Sequence, residues 1–480
     1  MYALLTTYWP HILLVLSILM GGVAAIHATM SKRDVRSAVG WVGVILLSPI
    51  LGAVIYAVAG INRMRRETIL SRATSRNDRL RGERITQPVS QEEYETAFGP
   101  HFGSLKTLGD RVAGPLRGGN LVTVLGSGDE TYDALCAAID TAERSVILET
   151  YIFDRDRVGL RIAERLAAAV ARGVEVRVLI DAVGARYSVP SIVPYLRERG
   201  IPVADFNGQV IVGLRLPYAN LRTHRKIAVI DGTVGFMGGM NIRAAFSGPG
   251  AARDTHFRVT GPIVGDLLAV AADDWHFDTG ELLAGDAWRA AGDLSDEDSM
   301  MARVVVSGPD ANLETNHKVI MGAISVAERS VRIMSPYFLP DGVLLGAIAT
   351  AALRGVAVEV VVPAKNNLGV VARAMTAQFG ETIQSGVRIV KAGAVFNHSK
   401  LMIVDDKWAY IGSSNMDSRS LRLNFEIDME VHDRAFVRNL HARLDEAMQG
   451  ASEVTPETLR RRPFPIRLLD RIFWLASPYL

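Results

Sequence analysis

The sequence predicts an α/β fold of two related tandem halves, preceded by a pair of apolar helices long enough to cross a membrane. Three observations carry this prediction. First, the pattern His-x-Lys-x4-Asp occurs twice, as His224, Lys226 and Asp231 in THRKIAVIDG and as His398, Lys400 and Asp405 in NHSKLMIVDD. Each copy is followed by a Gly-x-x-Asn turn, Gly238 to Asn241 and Gly412 to Asn415. Second, two further blocks recur in the same order: AERSVILETYIF (142–153) matches AERSVRIMSPYF (327–338), and ARGVEVRVLI (171–180) matches LRGVAVEVVV (353–362). Third, no Lys, Arg, Asp or Glu precedes Lys32, and a second uncharged run lies between Arg36 and Arg63.

The elements follow in chain order. Residues 1–62 read as a transmembrane hairpin. The run Tyr8 to Met30 exceeds the roughly 20 apolar residues that cross a bilayer. It lacks the basic start of a cleaved signal peptide and is longer than that peptide's apolar core. The second run has Pro49 in mid-span, which predicts a kinked or re-entrant segment. Tyr8, Trp9 and Trp41 lie near the ends, where aromatic belts belong. The far flank carries Arg63, Arg65, Arg66, Arg72 and Arg76, and the connecting loop Lys32, Arg33 and Arg36. The positive-inside rule then favours a multi-pass membrane protein with a cytoplasmic body.

Residues 63–117 are polar and Arg-rich and read as a juxtamembrane linker. Domains are expected over 118–290 and 300–450, each alternating short apolar strands with helices, the mark of α/β units with a buried sheet. The acidic stretch AGDLSDEDSM separates them. The tail, 451–480, is basic at its start and apolar-aromatic at its end. It reads either as an interfacial helix lying on a membrane or as a terminal helix docked on the core.

Composition excludes several classes. Lys and Arg number 53 against 51 acidic residues, a net charge of +2, so no nucleic-acid partner is expected. The single cysteine, Cys136, builds neither a disulfide framework nor a thiolate metal site. No metal-ligand spacing stands out, and His256 and His276 are isolated. There is no GxxxxGKS, which argues against nucleotide-driven chemistry. No cofactor is expected.

The doubled motif carries the chemistry. Residues two apart on a strand share a face, so His224 pairs with Lys226 and His398 with Lys400. Asp231 and Asp405, seven residues from their histidines, have the wrong parity and are better placed to fix the turn after the strand. Two imidazoles and two ammonium groups facing one point suit a phosphodiester. The lysines neutralise non-bridging oxygens, one neutral His attacks phosphorus, and the other moves the leaving group's proton. Asn241 and Asn415 either hold phosphate oxygens or form the turn. A nucleophilic His needs an orienting acid. Asp254 and Glu426, 30 and 28 residues after the respective histidines, are the candidates.

At these residues the chain resembles the phospholipase D superfamily, whose mark is two HxKx4D motifs. Four features look specifically like bacterial cardiolipin synthases. They are the N-terminal apolar pair with Trp41, Pro49, Gly52 and Tyr56 in the second run, the length, the NLRTHRKIAVIDG and GGMNI stretches, and the GSSNMDSRSLRLNFE block. The resemblance implies two tandem phospholipase D-like α/β sandwich domains with pseudo-twofold symmetry and the site at their interface. It implies that the six motif residues form the catalytic set, with His224 as nucleophile and His398 as acid/base; the residues alone do not separate those roles. It further implies transfer of a phosphatidyl group between two phosphatidylglycerols, with release of glycerol. The implied partners are phosphatidylglycerol, anionic membrane lipids and the membrane itself, and a homo-oligomer is compatible with the sequence. One departure separates the turns: Gly239-Met240 stands where the second has Ser413-Ser414. The alternatives are a hydrolytic phospholipase D or another phosphatidyltransferase, for which the same residues would serve, a nuclease-like phosphodiesterase, against which the apolar hairpin and near-neutral charge stand, and a membrane scaffold with a decayed site, against which the six intact motif residues stand.

Overall fold

The computed structural model describes residues 2–32, 35–60, 88–207, 221–290, 300–393 and 395–477. The chain divides into two compact units, one holding the N-terminal helices and the other the described residues from Pro88 onward.

In the first unit, α1 (Tyr2–Ser31) is one uninterrupted helix. Its apolar stretch Tyr8–Ser31 has 24 residues, which at about 1.5 Å per residue exceeds the roughly 30 Å hydrocarbon core. The second apolar run is a broken helix rather than one straight one. It forms α2 (Val35–Leu47) and α3 (Pro49–Ile55), broken at Ser48, and then a wide turn over Tyr56–Gly60. Pro49 has no N–H to continue the ladder from α2, which breaks the segment where the sequence predicted a kink. Small residues let the helices close: a Cβ on Gly21 would lie 2.9 Å from the Pro49 Cβ. His27 Nδ1 meets Tyr56 Oη at 2.8 Å, and Trp41 packs edge-on to Tyr56. The arginines from Arg63 to Arg76 lie outside the described residues.

In the second unit, the first half contributes β1 (Arg117–Leu125), β2 (Ser145–Thr150), β3 (Glu175–Asp181), β4 (Val203–Phe206), β5 (Arg222–Thr223), β6 (Ile227–Ile230), β7 (Val234–Gly238) and β8 (His256–Thr260). The second half contributes β9 (Met300–Ser307), β10 (Ser330–Met334), β11 (Phe338–Leu339), β12 (Ala357–Pro363), β13 (Arg388–Ala392), β14 (Leu401–Val404), β15 (Trp408–Gly412), β16 (Met416–Asp417), β17 (Asn424–His432) and β18 (Ser452–Glu453). One mixed sheet runs β18-β13-β12-β10-β14-β15-β17-β9-β1-β8-β7-β6-β2-β3-β4. The duplication is explicit in that order. Outward from the central antiparallel β1–β9 pair, both halves place the same strands in the same sequence, and β2–β3 and β10–β12 are the parallel pairs built from the AERSV and RGV blocks. Helices cover each half and bury separate apolar cores, one around Ile162, Val178 and Phe236, the other around Ile320, Val360 and Trp408.

The span read as linker is folded from Pro88 onward. α4 (Gln91–Phe98) and α5 (Pro100–Val112) put Tyr94, Phe98, Phe102 and Leu105 into the core of the second half, and Tyr94 Oη pairs with His432 Nδ1 at 2.9 Å. Tyr94 and Phe98 are four apart on α4, and Phe102 and Leu105 three apart on α5, each pair an apolar face among charged neighbours. The tail also begins inside the fold, since β18 pairs with β13 at the sheet edge.

Candidate active site

The site is built where each half's motif strand is held by the other half. β5 pairs with the start of β17, and His224 N donates to Phe425 O at 2.8 Å. In the matching position, Arg253 bridges to Asn397, and His398 N donates to Arg253 O at 2.7 Å. Strand parity sorts the side chains as expected. Arg225, between His224 and Lys226, turns away to Asp274 and to Glu426 O, and Ser399, between His398 and Lys400, meets Thr255 Oγ1 at 2.9 Å.

Both histidines are held by an acid through Nδ1, and among the described residues no acid meets either Nε2. The acid that holds each one comes from the opposite half. His224 Nδ1 lies 2.9 Å from Glu426 Oε2 and 3.1 Å from Ser413 O. His398 Nδ1 lies 2.7 Å from Asp254 Oδ2. The spacing of 30 and 28 residues leaves open which histidine each acid serves; the fold crosses them, with β8 and β17 flanking the central strand pair of the sheet. Lys226 Nζ donates to His224 O, and Lys400 Nζ donates to His398 O. The Lys400 ammonium also lies 3.0 and 3.2 Å from the two ring nitrogens of His398.

Asp231 and Asp405, included in the catalytic set by the resemblance, lie at the far ends of β6 and β14. Asp231 accepts from the amides of Glu143, Arg144 and Ser145 at 2.7–2.9 Å. Asp405 accepts from Glu328, Arg329 and Ser330 at 2.8–3.0 Å. Both sit in the left-handed region, with φ of 53° and 52°. Their carboxylates therefore tie each motif strand to the start of its AERSV strand, away from the imidazoles.

The Gly-x-x-Asn turns differ for a steric reason. A Cβ on Gly239 would lie 2.5 Å from Asp254 Oδ1, so no side chain fits beside that carboxylate. Ser413, in the same place in the other half, donates to Glu426 Oε2 at 2.6 Å. Asn241 Oδ1 accepts from Ile152 N at 3.1 Å, a scaffold contact that leaves its amide N–H groups without a protein acceptor among the described residues. Asn415 Nδ2 donates to Ser420 Oγ at 3.3 Å, and its buried Oδ1 has no partner among the described residues.

Burial and charge give the two halves different electrostatics. Burial, joined by the charges of Lys226 and Lys400, holds the His224 imidazole well below its ordinary pKa. His398 is lowered to about 4 by burial and Lys400, with Asp254 pulling the other way. For Asp254 the upward push of burial is outweighed by Lys400 and His398, so the carboxyl stays below its ordinary value. Burial lifts Glu426 to about 7 against the pull of Lys226. Lys226 falls to about 7 and Lys400 to about 8, both by burial.

Several neighbours carry no motif of their own. Tyr151 packs edge-on to His224 at 5.3 Å and under Lys226, and Tyr337 packs edge-on to His398 at 6.1 Å. Both stand at the aromatic ends of the duplicated AERSV blocks, the signal that marks them. β17 is buried along its whole length, although Asn424, Glu426, Asp428, Glu430 and His432 alternate along one face. A polar row at period two on a buried strand marks a face turned to polar partners. Here those partners include His224, Ser414, Arg303 and Tyr94. Among the described residues, the buried Nδ1 atoms of His256 and His276 have no hydrogen-bond partner. Among the described residues, no group of three or more His, Cys, Asp or Glu converges as for a metal.

Known proteins share this architecture. The family model for "Cardiolipin synthase, PLD-like domain" matches residues 135–246 and 320–448, and that for "Phospholipase D-nuclease N-terminal" matches 14–60. A cardiolipin synthase of Alkalihalophilus pseudofirmus is 32% identical over 94% of this chain and 90% of its own length. Cardiolipin synthase A of Pseudomonas putida GB-1 is 32% identical over 96% of both chains. The crystal structure of a phosphatidylserine synthase from Haemophilus influenzae Rd KW20 covers 78% of this chain and 100% of its own, with a TM-score of 0.61 at 16% identity, a likeness of fold. The chain belongs to the cardiolipin synthase family with phospholipase D-like domains.

Proposed function

We propose that this enzyme makes cardiolipin from two phosphatidylglycerols through a phosphatidyl-histidine on His224. The observation that carries the reading is the crossed pairing of two imidazoles with acids of unlike ionisation, beside two lysines. A phosphodiester anion bound between Lys226 and Lys400 offsets their charges. The proton of the pair then settles on the imidazole that faces the ionised carboxylate, His398 with Asp254. His224, facing a Glu426 carboxyl that burial keeps far less ionised than Asp254, stays neutral and nucleophilic.

In the first step His224 Nε2 bonds to phosphorus, the P–O bond to the glycerol headgroup breaks, and His398 gives its proton to the departing oxygen. In the second, the terminal hydroxyl of another phosphatidylglycerol loses its proton to His398 and bonds to phosphorus, and the P–N bond to His224 breaks. The free amide of Asn241 serves as a donor to a phosphate oxygen. The apolar N-terminal region supports a multi-pass membrane protein with its body on the cytoplasmic side.

The test is a product assay. Purified full-length protein in detergent, given phosphatidylglycerol without added metal or nucleotide, is expected to form cardiolipin and glycerol in equal amounts. Phosphatidic acid in place of cardiolipin would make the enzyme a hydrolase. Cleavage of DNA with no action on lipid would overturn the lipid reading.

A further inference from the structure

The helix Phe464–Trp474 is apolar on two opposite sides. One side is fixed to the body. Asp470 is buried and ion-paired with Arg373 at 3.3 Å and Arg462 at 2.6 Å, and Phe473 and Trp474 pack against the core of the second half. Phe464, Leu468, Ile472 and Leu475 form a stripe at i, i+4, i+8 and i+11. At about 100° per residue that stripe lies opposite the docked residues. It is exposed: Phe464 by 71%, Leu468 by 49%, Ile472 by 51% and Leu475 by 72%. A docked surface helix ordinarily turns polar residues outward. Here the outward stripe is apolar and is flanked by Arg467 and Arg471, which have no acidic partner among the described residues.

The supporting helix, Gly369–Gln384, starts at the rim of the site. Just before it, Asn367 Oδ1 accepts from Tyr337 Oη at 2.8 Å, and Tyr337 packs against His398. Leu368 and Val370, beside Asn367, are also exposed. The apolar surface thus lies at both the mouth of the site and the helix packed beside it.

We infer that this helix seats the catalytic body on the surface of an anionic bilayer, its apolar stripe among the acyl chains and its arginines at the headgroups; the inference rests on the reading of the enzyme as one that works on membrane lipid. An apolar stripe flanked by cations on a helix lying in the interface plane is the pattern such surfaces take. A second copy of the chain is the poorer occupant, because an isologous contact through this stripe would bring like charges together.

The test uses the full-length chain with Cys136→Ser, carrying Leu468→Cys or Ile472→Cys labelled with an environment-sensitive fluorophore. The protein is reconstituted in vesicles of equal parts phosphatidylglycerol and phosphatidylcholine. The inference expects a blue-shifted emission quenched by lipids brominated on the acyl chains, while a label at Thr458→Cys responds to aqueous iodide. Labels at 468 and 472 that respond to iodide like the one at 458 would overturn it. So would labels equally shielded in detergent and exposed only on dilution, the sign of a second copy. In the activity arm, Leu468→Glu with Ile472→Glu is expected to slow turnover of vesicle lipid roughly tenfold and to leave turnover of monomeric short-chain phosphatidylglycerol unchanged. Equal loss on both substrates would make the helix a structural element instead. The fluorescence arm does not depend on catalysis, so it stands or falls separately from the proposed reaction.

Discussion

The two halves of the site share a backbone plan and differ in the acid behind each histidine. In one half, Glu426 reaches His224 across the centre of the sheet and takes a second hydrogen bond from Ser413. In the other, the shorter Asp254 reaches His398 only because Gly239 leaves room for its carboxylate. The longer acid is lifted to about 7 and the shorter one stays below its ordinary pKa. A duplicated fold has thus become an asymmetric site through an acid one methylene shorter and the loss of one side chain. In the proposed mechanism that asymmetry decides which imidazole is neutral and which one holds the proton.

The largest effect expected is loss of either imidazole. His224→Ala and His398→Ala should each lower kcat by at least about 10³-fold, since residues acting as one unit fail together. A double variant no slower than either single one would show that unity, and retention of turnover by either single variant would break it. Next come the acids, where the halves should part. Asp254→Asn removes a charge that supports the imidazolium and should cost on the order of 10²–10⁴-fold in kcat. Glu426→Gln replaces a carboxyl lifted to about 7, already partly protonated near neutral pH, and should cost about tenfold. Equal losses would remove the electrostatic distinction between the halves.

The glycine exchange sharpens the same contrast. Gly239→Ala places a methyl group against Asp254 and should lower kcat roughly a hundredfold by displacing the acid, a misplacement effect. Ser413→Gly only removes one donor from Glu426 and should cost a few-fold. The smallest effect is in the pH profile. Burial lowers Lys226 to about 7 and Lys400 to about 8, so both lose their charge far below the ordinary lysine range. The free-enzyme parameter kcat/KM should therefore fall as pH rises through 7 to 8. Bound phosphodiester holds the ammonium groups charged, so kcat should persist to higher pH. A kcat/KM flat to pH 9 would contradict the depressed lysines.

Much of this was legible in the sequence for physical reasons. Parity on a strand separates His224 and Lys226 from Asp231, and the structure finds Asp231 and Asp405 holding three amides each at the opposite strand ends. The repeated blocks foretell a sheet with the same strand order in both halves. What spacing cannot carry is the crossing of Asp254 and Glu426, because distance along the chain does not reveal which half a strand end faces. The burial of the short helices over 91–112 is masked by their charged residues, although Tyr94 with Phe98 and Phe102 with Leu105 mark an apolar face on each. The break at Ser48 falls where Pro49 predicts a kink, and it divides the second apolar run into two short helices.

The most direct test of the division of labour is to trap the covalent intermediate. A phosphatidyl ester with a p-nitrophenol leaving group needs little acid assistance to depart, so His398→Ala enzyme should form the adduct and fail to pass it on. After alkaline quenching and proteolysis, mass spectrometry is expected to find the phosphatidyl group on the peptide carrying His224. In the mirror experiment with His224→Ala, the same substrate should leave no adduct on His398. A phosphatidyl group on His398, with the His224 peptide unmodified, would contradict the assignment of His224 as nucleophile.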